Sequence, residues 1–243
     1  MSVKHFGSVV NKYTLQARYF PAVLTVFPFW LLLNLIRKYF TTTLDGIFLF
    51  IPYLVQTGLS GAVFYFQMQL NRFISKEIFQ NRIFNDENNF PTTLWLLWSD
   101  STIDSTTKQM IHTKIKSLFD IMLLTPEAEG NDKDHAKNII IVAVSQIRNS
   151  LRKNDQQVQH NREYGFWRNL AGGSLVAVCI SIIIGIIEYF IGNNSSIAIS
   201  LIMFLFYSLL LCFCPYLIKK HGQYYAKSLF EQFLSLNEKE ILQ

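Results

Sequence analysis

The sequence predicts an all-α membrane protein with four transmembrane helices, arranged as two hairpins with a helical cytoplasmic domain inserted between them. Three observations carry that expectation. From Tyr164 to Lys220, two apolar runs, AGGSLVAVCISIIIGIIEYFI and IAISLIMFLFYSLLLCFCPYLI, flank the polar turn GNNSS. Each run has the ~20 residues that cross ~30 Å of hydrocarbon. Between Leu170 and Ile218 the one charged residue is Glu188. Second, half of the 243 residues are hydrophobic and only 16% are charged, against roughly 25% in soluble domains. Third, the basic residues cluster at the ends of apolar runs, as in a chain oriented across a membrane by charge.

Residues 1–70 hold an N-terminal interfacial helix and the first hairpin, with spans at about 19–36 and 46–70. The first 18 residues carry three positive charges and no negative one, and Phe6, Val9, Val10 and Tyr13 fall opposite Lys4 and Lys12. That pattern suits a helix lying in the membrane surface. The apolar run that follows ends at Arg37-Lys38, with no small-residue cleavage motif, so it reads as a span rather than a signal peptide. Pro21 fits a first helical turn, whereas Pro28, in mid-span, predicts a kink. In the second span, Thr57 with Gly61 and Gly58 with Ala62 place small residues four apart, a spacing that lets helix backbones approach closely. The seam serves self-association or packing within the chain, and Gln56 beside it is a candidate intramembrane polar group.

Residues 71–168 form the expected cytoplasmic helical domain. Phe73, Ile78 or Phe79, and Ile83 extend the stripe of the second span until NDENNFP breaks it. Trp95 and Trp98 are expected in the domain core, Asp104 at a helix start, and Met110, Ile111, Ile115, Leu118, Phe119 and Met122 along one helical face. TPEAEGNDKD reads as an acidic loop. Ala136, Ile140, Ala143, Ile147 and Leu151 mark a long helix that no proline interrupts before Phe190. Through Arg162, Trp167 and Arg168 it would act as a coupling stalk into the second hairpin, residues 169–218, with spans at about 170–191 and 197–218. Residues 219–243 form an amphipathic tail helix with Tyr225, Leu229, Phe233 and Leu236 on one face.

The charge count orients the chain. Lys plus Arg number three in residues 1–18, two in 37–45, thirteen in 71–169, none in 192–196 and four in 219–243. The positive-inside rule therefore places both termini and the central domain on the cytoplasmic side. The same distribution argues against direct nucleic-acid binding as the explanation of the net charge of +5.

No catalytic signature is present. Gly172-Gly173-Ser174 lacks the lysine of a phosphate-binding loop, and neither a G-x-S-x-G nor an H-E-x-x-H motif occurs. Arg152 and His160 miss the spacing of an Arg-x(4–6)-His nuclease motif. The histidines are scattered, and Cys179, Cys212 and Cys214 all lie in apolar spans, so neither metal, cofactor nor enzyme is expected. Glu188, near the outer end of the third span, either reaches for the interface or lines a watery path with Gln56.

KYTLQARYFPAVL at Lys12–Leu24 and EYGFWRNLAGG at Glu163–Gly173 resemble stretches of small bacterial multi-pass membrane proteins of the antiphage-effector kind. The resemblance implies a non-enzymatic, homo-oligomeric effector in the lipid bilayer. Its helical domain would take a cytoplasmic protein or nucleotide signal and leave the inner membrane leaking ions, an antiviral defence. A membrane anchor that recruits a soluble partner through residues 71–168 is the alternative, and a channel or transporter a further one.

Overall fold

The computed structural model describes residues 12–48 and 60–236. Their regular structure is all helix, with no strand among them. In chain order the helices are α1 (Lys12–Thr14), α2 (Phe20–Thr25), α3 (Phe27–Phe48), α4 (Ser60–Ile74), α5 (Asn81–Phe84) and α6 (Pro91–Leu94). Then follow α7 (Ser105–Phe119), α8 (Pro126–Asn131), α9 (Lys133–Ser150), α10 (Asp155–Ile191) and α11 (Asn194–Ser235). π-Helical turns join α1 to α2 (Leu15–Tyr19) and α4 to α5 (Ser75–Gln80).

Among the described residues two helices, α10 and α11, are long and apolar enough to cross a membrane, and α2 with α3 makes a third if that bent pair counts as one span. At 37 and 42 residues, α10 and α11 run about 55 and 63 Å, well beyond the ~30 Å of hydrocarbon. The chain divides into two compact units. One comprises Met1–Phe79 and Gly165–Leu217, the other Gln80–Tyr164 and Ile218–Gln243.

In the apolar unit, Val176, Ala177, Ile180 and Ile184 of α10 pack on Met203 and Tyr207 of α11, with Phe29, Leu31 and Leu70 around them. The apolar window of α10 is 56% buried and that of α11 only 22%, so α10 is the central helix and α11 keeps a broad apolar face outward. Leu201, Ile202, Leu205 and Leu209 are more than half exposed on that face. The bend in the first run comes at Val26, two residues before Pro28, and measures 43°. Pro28 thereby sits in the first turn of α3, where its missing N–H breaks no hydrogen bond. The expected 37–45 loop is helical, because α3 continues to Phe48. Gly192, at φ +81°, ends α10, with the N–H groups of Gly192 and Asn193 both on the Glu188 carbonyl. Asn193 then caps α11 through Ser196, so the GNNSS turn shrinks to two residues outside helix.

In the polar unit, Ile111 and Ile115 of α7 meet Ala136, Ile140, Ala143, Val144 and Ile147 of α9 in one core. The expected α9 face is buried throughout. On α7 the inward face is narrower than expected: Met110 is 55% exposed, and Met122, beyond the helix, 66%. Leu229, Phe230 and Phe233 complete the core. Of the two places the sequence leaves open for the tail, under the membrane or against the central domain, the tail takes the second, as the end of α11 rather than a separate helix. The acidic loop is largely the short helix α8, capped by Thr125. Asp104 caps α7 as expected, its Oδ1 accepting the Thr107 N–H at 2.8 Å.

The long helix expected from Asp134 onward is interrupted at 151–154. Asn154 starts α10 by accepting the Gln157 N–H at 3.0 Å, and its amide donates to Gln232 Oε1 at 2.9 Å. A cap, not a proline, makes this break.

Candidate functional site

The apolar unit is clasped by polar side chains where three helices cross. Gln67 Nε2 donates to Asn71 Oδ1, and Asn71 Nδ2 donates to Thr25 Oγ1, each at 2.9 Å. The Thr25 hydroxyl donates to the Pro21 carbonyl at 2.8 Å. One turn along, Ser75 Oγ donates to Asn169 Oδ1 at 3.0 Å, and Asn169 Nδ2 reaches the Ala17 carbonyl at 2.6 Å. All five side chains are at most 3% exposed. The two π-helical turns flank this junction: one contains Ala17 and the other begins at Ser75. The turn at Ser75–Gln80 re-aims the side chains within and after it, so that Phe79, the alternative to Ile78, and Ile83 are the half-buried members of the expected stripe. Phe73 and Ile78, expected on the inner stripe, are 63% and 43% exposed, while Asn71 and Ser75 face inward.

Glycine makes the crossing possible. A Cβ on Gly172 would lie 2.3 Å from the Asn71 carbonyl oxygen, and one on Gly173 would lie 2.5 Å from both Asn71 Nδ2 and Thr25 Oγ1. Small residues let membrane helices approach this closely, and each hydrogen bond between them contributes roughly 1 kcal/mol. Both hydroxyls are engaged in hydrogen bonds, and the arrangement acts as a helix clasp.

Glu188 is buried, at 3% exposure, and its Oε2 has no hydrogen-bond partner among the described residues. The Lys38 ammonium, at the end of the first apolar run, lies within range of its charge. Ser200 of α11 packs one turn away, its Oγ 3.0 Å from where a Cβ on Gly185 would be. Arg162, Trp167 and Arg168 follow one another along α10, all half-buried, with Trp167 edge-on to Phe166 at 5.1 Å. The structure does not bring them to Glu188.

Of the small-residue seam, Gly61 and Ala62 are described and exposed; Gln56, Thr57 and Gly58 lie outside the described residues. A Cβ on Gly61 would meet nothing within 4 Å. A leucine pair at Gly61 and Ala62 is therefore expected to leave the fold of the chain intact. It should shift the detergent-solubilised protein to smaller species on light scattering; an unchanged mass would remove this face from any self-association.

In the polar unit, the turn after Trp95 is held by two buried side chains of opposite charge, each bonded to its backbone. Glu129, 5% exposed, accepts the N–H groups of Trp98 and Ser99 at 2.7 and 2.9 Å. Lys108, 2% exposed, donates to the carbonyls of Leu97 and Asp100. Burial pulls the Lys108 ammonium below its ordinary value, and Asp100 and Glu129 oppose that. Trp98 Nε1 donates to the Leu124 carbonyl at 2.8 Å, and its ring meets His112 edge-on at 4.6 Å. Trp95 packs on the core, so both tryptophans serve the domain interior. Nearby, Arg148 pairs with Glu87 at 2.9 Å. Burial works against the Arg148 charge, and Glu87 with Tyr225 and Tyr164 more than restores it.

Sequence reasoning missed Asn71, Ser75, Asn169 and Glu129. The signal for the first three was the Gly172-Gly173 pair one turn after a polar residue. For Glu129 there was none, since an acidic residue in an acidic stretch looks solvated. Among the described residues no group of three or more His, Cys, Asp or Glu side chains is arranged to hold a metal. No protein-family model, curated protein or solved structure matches the chain.

Proposed function

We propose that this protein is an integral inner-membrane effector: four spans in two hairpins, both termini cytoplasmic, and a helical domain that receives a signal and makes the membrane leak. Antiphage defence is the setting, and oligomerisation through the second span is part of the mechanism. The observation that carries this reading is the continuity of α10 and α11. Each holds an apolar stretch of span length and a segment of the polar unit in one unbroken helix. A helix without an internal proline, as α10 is, transmits rotation or tilt along its axis, whereas Pro215 gives α11 a point of bending. Glu188, buried in an apolar span, is the ionisable group such a movement would expose.

A membrane anchor is the second reading, favoured by Met110, Met122 and Val142, more than half exposed on the polar unit. Adaptable methionines suit a docking surface. Controlled overexpression with a potential-sensitive dye separates the two. Depolarisation within minutes of induction is expected, and it should disappear when Gly61 and Ala62 are both leucine. Normal potential in cells carrying abundant, membrane-inserted protein would leave the anchor.

A further inference from the structure

The hydrogen bonds of the clasp hold three segments of the apolar unit at one level, and each segment carries a cation beside its bonded residue. Ser75 Oγ donates to Asn169 Oδ1 at 3.0 Å, and Asn169 Nδ2 donates to the Ala17 carbonyl at 2.6 Å. Arg18 follows Ala17, Lys76 follows Ser75, and Arg168 precedes Asn169. Neighbours in a helix point about 100° apart, so a residue next to a buried one turns toward the rim. Ala17, Ser75 and Asn169 are at most 3% exposed, whereas Arg18 and Arg168 are half-buried and Lys76 is exposed. Arg168 stands one turn before Gly172, where a Cβ would lie 3.0 Å from the Ser75 Cβ, so it shares the face of α10 that meets the Ser75 segment. Half-buried Arg72, four residues before Lys76, adds a further charge.

The acidic residue beside these cations is Glu77, which is exposed. Among the described residues no carboxylate pairs with Arg18, Arg72 or Lys76, and Arg18 stands instead over the Tyr13 ring at 5.6 Å. The same segments also carry uncovered apolar surface. Phe20 and Leu24 on α2, and Phe66 and Phe73 on α4, are each at least 49% exposed. The surface is therefore amphiphilic, with positive charge at one level and aromatic and aliphatic side chains next to it.

We propose that Arg18, Arg72, Lys76 and Arg168 form a binding rim for the headgroup of an anionic phospholipid, whose acyl chains lie over Phe20, Leu24 and Phe73. Guanidinium offers a planar fork of N–H donors that matches phosphate oxygens two at a time, and lysine adds a point charge. Free phosphate would meet the charge and leave the phenylalanines uncovered; a phospholipid satisfies both halves of the surface. The inference rests on the apolar unit lying in a bilayer and is independent of whether that bilayer is made to leak.

Tryptophan quenching by brominated lipid, on the full chain in nanodiscs, tests it. In a Trp30→Phe background, Trp167 is the tryptophan left in the apolar unit, next to Arg168. Brominated phosphatidylglycerol and brominated phosphatidylcholine, with identical chains, are compared as quenchers. The anionic lipid should be preferred by more than about tenfold, given roughly fivefold for each cation near an anionic surface. Arg72→Gln with Lys76→Gln, or Arg18→Gln with Arg168→Gln, should bring the two lipids close to parity. Lys227→Gln, an exposed cation of the polar unit, should leave the preference intact. Equal quenching by the two lipids in the parent protein overturns the proposal, as does a preference that survives either double substitution, so one folded variant decides. Loss of the preference in millimolar inorganic phosphate, against chloride of equal ionic strength, also overturns it, because the rim is then a site for free phosphate.

Discussion

Replacing Gly172 with leucine is expected to abolish accumulation of folded protein in the membrane, and alanine there should already lower stability markedly. The added Cβ would stand 2.3 Å from the Asn71 carbonyl oxygen and 2.9 Å from the Ser75 N–H nitrogen, both backbone atoms with no rotamer to retreat into. Overpacking in a close-packed interior costs about 1–3 kcal/mol, occasionally more. A backbone obstacle places Gly172→Ala at the upper end of that range. Separating the helices would also strand the Asn71, Ser75 and Asn169 hydrogen bonds, about 1–3 kcal/mol for each buried group left unpaired. Gly130→Ala is the control, since a Cβ there meets nothing within 4 Å. Thermal unfolding in detergent reads the difference. A Gly172→Ala protein as stable as wild type would mean that the helices do not cross here.

Glu129→Ala should be the most damaging single change in the polar unit. It removes the acceptor for two backbone N–H groups, at Trp98 and Ser99, and leaves Lys108 with one fewer counter-charge while 2% exposed. Each buried N–H left without an acceptor costs about 1–3 kcal/mol, and Lys108 keeps its buried charge. Adding Lys108→Met should recover part of the loss by removing that charge, and the double-mutant cycle measures the coupling. Chemical denaturation followed by tryptophan fluorescence is a direct probe, since Trp98 sits in the affected turn. A change below about 1 kcal/mol, the usual size for surface pairs, would show that the pair is effectively solvated.

What was legible in the chain and what was not follow one physical division. Apolar runs and helical periodicity depend on nearest neighbours along the sequence. The sequence by itself therefore determined an all-helical chain, the two long apolar helices, the buried face of α9 and the cap at Asp104. Local signals also suffice for the break at 151–154: asparagine followed by aspartate is a helix start, and attention to proline alone hid it.

Tertiary structure decided the rest, because each remaining feature depends on contacts between residues far apart in sequence. Hydrophobicity cannot report that Asn71 faces inward and Phe73 outward, since the partners of Asn71 and of Ser75, one turn on, lie on α2 and α10. It cannot report that the tail closes the polar core, since Leu229 and Phe233 look equally at home on a membrane surface. Nor could spacing place Arg18, Lys76 and Arg168 at one level, which requires the hydrogen bonds among Ala17, Ser75 and Asn169. A polar side chain in a sequence is solvated by default, and only a partner supplied by the fold changes that.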